Sequence, residues 1–318
     1  MLKVLSLSVF IILLGSCQQA SKNAIDLSDV DVNVKIERFD VDFYTATKDN
    51  FEQVKQTYPM LFPHHNDSIW FSKISNIDEQ QLYIEAQKVF SNTEKLRSDL
   101  TSLFKHVKYY QPKFKSPKVI TILTNIDYDN RVLLADSLLF ISLDVYLGRN
   151  HPFYNEYPNY IKQNNTADHV IIDVANAIVE QQLPPIVYRR FIDKIIFEGK
   201  KMYLLDRYLP KTSDYLKIGY SKEKFDWAVN SEEDVWKYFI DRELLYDTSQ
   251  KLNQRFIDIA PFSKFYLGED NLSPGRMGVF MGWQIVRAFM ANNDVSLQQL
   301  INTTEEDIFN KSKYKPKK

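Results

Sequence analysis

A single cysteine, Cys17, stands in the 318 residues. No disulfide can therefore form within the chain, and no cysteine-rich metal centre can be built from it. Histidines number five, and no two of them fall at ligand spacing on a predicted helix. The eight glycines include no phosphate-cradling loop after a strand, and they exclude long glycine-rich linkers. Charge of one sign is not in excess. Lys and Arg total 40 against 41 Asp and Glu, so the electrostatic footprint of a nucleic-acid binder is missing and no nucleic-acid partner is expected. Past the amino terminus no run of about 18 apolar residues occurs that would suit a membrane helix. No internal repeat is visible, and no nucleophile–His–acid spacing stands out.

What is present is a large apolar fraction, 44% with 14% aromatic, and one long helical pattern over 186–206. Ile192, Ile195, Ile196, Gly199, Met202 and Tyr203 recur at three- and four-residue spacing and predict one buried stripe. Arg189, Arg190, Asp193, Lys200 and Lys201 fall on the opposite side, which predicts a wet face. Glu198 lies on the flank between, partly shielded. Its frame, Phe197-Glu198-Gly199-Lys200-Lys201, has the shape of the zincin His-Glu-x-x-His motif, in which two histidines hold zinc and the Glu moves a proton. Both ligand positions differ here: a phenyl ring cannot coordinate, and an ammonium repels a dication. Two readings stand, an amphipathic core helix with one Glu at its margin, and a metalloprotease-type helix without its metal. Short frames recur by chance, which favours the first on this window alone.

The amino terminus is informative in another way. Lys3 supplies a positive start, and Leu5 to Leu14 form an apolar segment too short for a convincing span. Leu14-Gly15-Ser16-Cys17 follows and resembles a bacterial lipoprotein signal, cut between Ser16 and Cys17 after acylation of the thiol. The expected organisation is a signal peptide at 1–16, a lipidated polar tether at 17–30, a single globular domain at 31–312 and a basic tail at 313–318. Acyl chains contribute about 0.8 kcal/mol per buried methylene, so a multiply acylated Cys17 would hold the chain on a membrane.

Along the chain, strands are expected at 32–39, 118–124 and 137–148, and helices at 78–89, 93–110, 170–183, 231–246 and 296–309. Ser231-x-x-Asp234 predicts a helix cap. His64 and His65 read as turn residues, and His106 as a packed or solvated side chain. An aromatic loop beyond Gly148 carries Phe153, Tyr154, Tyr157 and Tyr160. These rings either pin the loop to the body or form an exposed partner-binding rim. Four glycines gather in 268–282. Gly278 and Gly282 lie one turn apart on a predicted helix, where each costs nearly 1 kcal/mol relative to alanine, so a second backbone is expected to approach there. That helix is expected against the central one, with Arg276 beside Glu198 as a charge partner.

Three segments, SLDVYLGRNHPFY at 142–154, IIFEGKKMYLLDRYLP at 195–210 and SPGRMGVFMGWQIVRAFM at 273–290, together with the lipobox at Cys17, resemble the gliding-motility lipoprotein family GldB. The resemblance spans essentially the mature chain. It implies an α+β, mainly helical, zincin-like metalloprotease-type domain with a small sheet and a degenerate central helix. It further implies a lipid-anchored protein of the bacterial envelope facing the periplasm, linked to adhesin secretion, with other gliding-motility or secretion-system proteins as partners. Phe197, Glu198 and Lys201 would be the vestige of an active-site helix. No catalytic residue, metal or cofactor is then expected, and the protein would be a non-catalytic scaffold or partner-binding component in which the peptide-binding cleft of such a fold could persist. The alternative is a metal-dependent peptidase or other envelope hydrolase using Glu198 as base. A weaker third reading is a lipoprotein-handling chaperone.

Overall fold

In the computed structural model, residues 25–63, 66–185 and 189–317 are described. The signal segment, Ser16, Cys17, His64, His65 and positions 186–188 lie outside them.

Four short strands form one mixed sheet: β1 (Ile36–Glu37), β2 (Lys118–Ile122), β3 (Val132–Ala135) and β4 (Leu138–Ser142), in the order β1-β2-β4-β3. β2 runs parallel to β1 and β4, with Ile120 opposite Phe140, while β3 turns back antiparallel on β4. Val119, Ile120 and Thr121 are buried in succession, as are Leu139 to Ser142. Continuous burial means that both faces are covered, as a sheet with parallel central strands requires. Only two residues of the strand expected at 32–39 pair. The strand expected at 137–148 stops at Ser142 and continues as a short 3-10 turn, Leu143–Val145. The edge strand β3 was not anticipated, because four residues are too few to show a period.

The helix over Phe191–Tyr208 is the centre of the molecule. Helices Val170–Gln182, Glu94–Tyr110, Met277–Asn292 and Glu305–Ser312 all lie against it. Of the expected stripe, Ile192, Ile195, Ile196, Gly199 and Met202 are buried, while Tyr203 is only half-buried. The expected wet face is not wet throughout, since Asp193 and Lys200 are buried as well. A helix enclosed by neighbours on most sides has no uniformly solvated face, so its ions must be paired instead. Asp193 accepts two bonds from Arg190 at 2.8 Å. Lys200 Nζ donates to Glu305 at 2.7 Å and to the Thr303 carbonyl at 2.6 Å.

The glycine-bearing helix Met277–Asn292 meets the central helix backbone to backbone. A β-carbon on Gly199 would stand 2.2 Å from the Gly282 carbonyl oxygen, and one on Gly282 would stand 1.6 Å from that of Ile195. Backbones can approach this closely only because Gly199 and Gly282 carry no β-carbon, which accounts for glycines at positions where helix propensity disfavours them.

Other boundaries depart from the periodic reading. Ser231 begins its helix without a side-chain cap bond. The last expected helix is two, Leu297–Asn302 and Glu305–Ser312, and the first carries a full Ser296–Gln299 capping box. The segment expected as a free basic tail is docked: the Tyr314 hydroxyl donates to Glu232 at 2.8 Å, and its ring meets Trp236 edge-on.

Candidate functional site

Beside the central helix lies a cavity of about 610 Å³, walled by the central helix, the helix Val170–Gln182, the β2–β3 turn and the start of the glycine-bearing helix. A second hollow of about 530 Å³ shares Tyr128, Asn164, Ile218, Gly219, Ile259 and Arg276 with it, so the two form one cleft.

Glu198 and Lys201 stand on the cleft wall. The Lys201 ammonium is 3.0 Å from Glu198 Oε1, 4.0 Å from Glu180 and 5.1 Å above the Phe197 ring. The carboxylate that would serve as a base is thus held by an ammonium three residues further along the helix.

Deeper in the cleft, the start of the helix Val170–Gln182 and the first residue before β3 bring Asp173, His169 and Arg131 together. Asp173 accepts from Arg131 at 3.0 Å and from the Tyr146 hydroxyl at 2.8 Å, and His169 Nε2 lies 3.5 Å from its other oxygen. The Arg131 guanidinium also lies 3.8 Å above the Tyr128 ring, a favourable cation–π arrangement. Burial pushes the His169 pKa below its ordinary value and outweighs the opposing pull of Asp173, so its ring is neutral at neutral pH. Exposed Asp129, Glu180 and Asp258 edge the opening.

Arg276 shares the cleft with Glu198, but the expected ion pair between them is replaced. Glu198 is held by Lys201, and Arg276 Nη1 donates to the Ile218 carbonyl at 3.1 Å. Arg276 stands at the start of its helix with φ +60°, in the left-handed region.

The expected aromatic rim is also rearranged. Tyr154 is fully buried; its hydroxyl donates to the Asp144 carbonyl at 2.5 Å and accepts from Leu147 N–H at 3.0 Å. Tyr157 is half-buried and donates to the Ile126 carbonyl, which leaves Phe153 as the exposed ring of the three. Pinning wins because a tyrosine hydroxyl that reaches a backbone partner can be buried without penalty. Tyr160 of the same loop does line the cleft, together with Tyr128 and Tyr220.

Sequence reasoning missed Arg131, His169 and Asp173. His169 and Asp173 stand four apart at the start of a predicted helix, a spacing that places both on one face and offered a signal. Arg131 offered none, since it arrives through a turn. His106, by contrast, is buried and bonded within its own helix to the Ser102 carbonyl.

Fold and cleft together define a mainly helical α+β protein built around one buried helix, with a concave, charged site rather than a flat surface. Among the described residues no helix is long and apolar enough to cross a membrane. The chain belongs to the family of the gliding motility protein GldB, whose family model matches residues 20–316. That membership makes it a gliding-motility protein of the cell envelope. No curated protein and no solved structure matches it.

Proposed function

We propose that the protein is a lipid-anchored, non-catalytic binding component of the gliding apparatus, linked to adhesin secretion and facing the periplasm. Its domain is a zincin-type scaffold whose cleft has been kept for holding a peptide segment of a partner. The observation that carries this reading is the Lys201–Glu198 pair above Phe197. In a metalloprotease that side of the helix carries a dication between two imidazoles. Here an ammonium already neutralises the carboxylate, and placing a metal beside it would cost charge repulsion. Among the described residues, no three His, Cys, Asp or Glu side chains converge as a metal-ligand set. The cleft volume is in the range of sites that enclose a ligand rather than those that only touch one.

The Glu198→Gln variant separates binding from hydrolysis, because glutamine keeps the shape and can still accept from Lys201 but cannot act as a base. Cells carrying it in place of the natural chain are expected to glide normally. Non-motile cells with normal amounts of folded protein would instead establish Glu198 as a catalytic base. The anchor is tested separately: Cys17→Ser should release the protein from the membrane fraction, and retention would contradict lipid anchoring.

A further inference from the structure

Arg276 lines both halves of the cleft, the charged half and the half walled by Tyr160, Tyr220, Pro261 and Pro274. Its backbone is left-handed, a conformation costly for a residue with a β-carbon. Among the described residues, each other cation of the cleft is held by a carboxylate or, for Lys224, by three carbonyls, those of Asn271, Leu272 and Ser273 at 2.7, 2.9 and 2.9 Å. Arg131 is held by Asp173, Lys201 by Glu198, and Lys217 by Asp206 and Asp214. Arg276 differs. It spends one donor on the Ile218 carbonyl, and among the described residues no carboxylate stands within ion-pair distance of it. A half-buried guanidinium carries five donors in a planar fork that matches a carboxylate in two parallel bonds. Asp129, Glu180 and Asp258 edge the same opening and repel anions, a dianion more strongly than a single carboxylate.

We infer that Arg276 is the anchor of the cleft and binds the carboxylate of a peptide segment, whose adjacent apolar side chain enters the tyrosine- and proline-walled half. The assignment rests on the cleft being a peptide site. The carboxylate is either a chain terminus or an acidic side chain, and the probes below separate the two.

The detergent-solubilised full chain is titrated by ligand-observed NMR with N-acetyl-phenylalanine, with its carboxamide, and with N-acetyl-aspartyl-phenylalanine carboxamide. At least one carboxylate-bearing probe should bind about tenfold more tightly than the first carboxamide. The better of the two identifies the source of the carboxylate. Arg276→Gln should abolish the preference. Arg276→Gly should abolish it too while leaving the thermal midpoint equal or higher, because glycine relieves the left-handed backbone. A lowered midpoint with the preference intact would assign Arg276 a structural role and overturn the inference. Equal binding of acids and carboxamide by the natural chain would overturn it while leaving the peptide cleft standing. Binding of none of the probes would remove both.

Discussion

Gly282 faces the Ile195 carbonyl so closely that a β-carbon on it would lie 1.6 Å from that oxygen. In an ordinary helix, exchanging glycine for alanine adds nearly 1 kcal/mol of stability. Here the added methyl meets backbone, which cannot rotate aside, so the sign reverses. Gly282→Ala should destabilise the protein by about 3 kcal/mol or more, as severe overpacking does. Urea denaturation measures it, and a stabilised variant would show that the two helices are not in contact.

Lys200 and Glu305 form a buried pair at 2.7 Å, with side chains only 3% and 8% exposed. Removing one partner of such a pair strands the other, at a cost of roughly 3–5 kcal/mol. Lys200→Met should therefore be strongly destabilising, whereas Lys200→Met with Glu305→Leu should recover most of the loss. A double variant no better than the single one would mean that the pair is not what sets the cost.

Asp144 is buried beneath the turn after β2 and accepts from Ile126 N–H at 2.6 Å and from Thr124 N–H at 3.1 Å. Asn125 and Ile126 of that turn are both left-handed, at φ +58° and +61°, so the carboxylate holds a strained corner. Burial pushes its pKa up to about 6, outweighing the backbone donors of Ile126, Thr124 and Asp144 itself that favour ionisation. The folded value exceeds the unfolded one, so this contribution to stability is complete below about pH 4 and is lost as pH rises through 6. Relative to Asp144→Asn, the natural chain should lose on the order of 3 kcal/mol between pH 4 and 7. Denaturation series at several pH values test it; a gap that widens in favour of the natural chain as pH rises would contradict the assignment.

The long helices were legible because periodicity is a local property. Those expected at 78–89, 93–110 and 170–183 are found at Ile77–Phe90, Glu94–Tyr110 and Val170–Gln182. The glycine pair was legible for a related reason, since a costly residue twice on one face implies a close neighbour. The burial of Lys200 was not, because a helical wheel shows which residues share a face and not whether another helix covers it. The cleft was legible in part. Glu198 and Arg276 both reach it, but its floor depends on Arg131 and Asp173, which are 42 positions apart and meet only in the fold. The docking of Tyr314 was hidden by the lysines around it, whose charge suggested a solvated end.

Elemental analysis of the protein purified from envelopes tests the central claim most directly. Lys201 and Phe197, flanking Glu198, predict no stoichiometric zinc and a denaturation midpoint unmoved by strong chelators. One tightly held zinc per chain, whose removal lowers that midpoint, would contradict the non-catalytic reading.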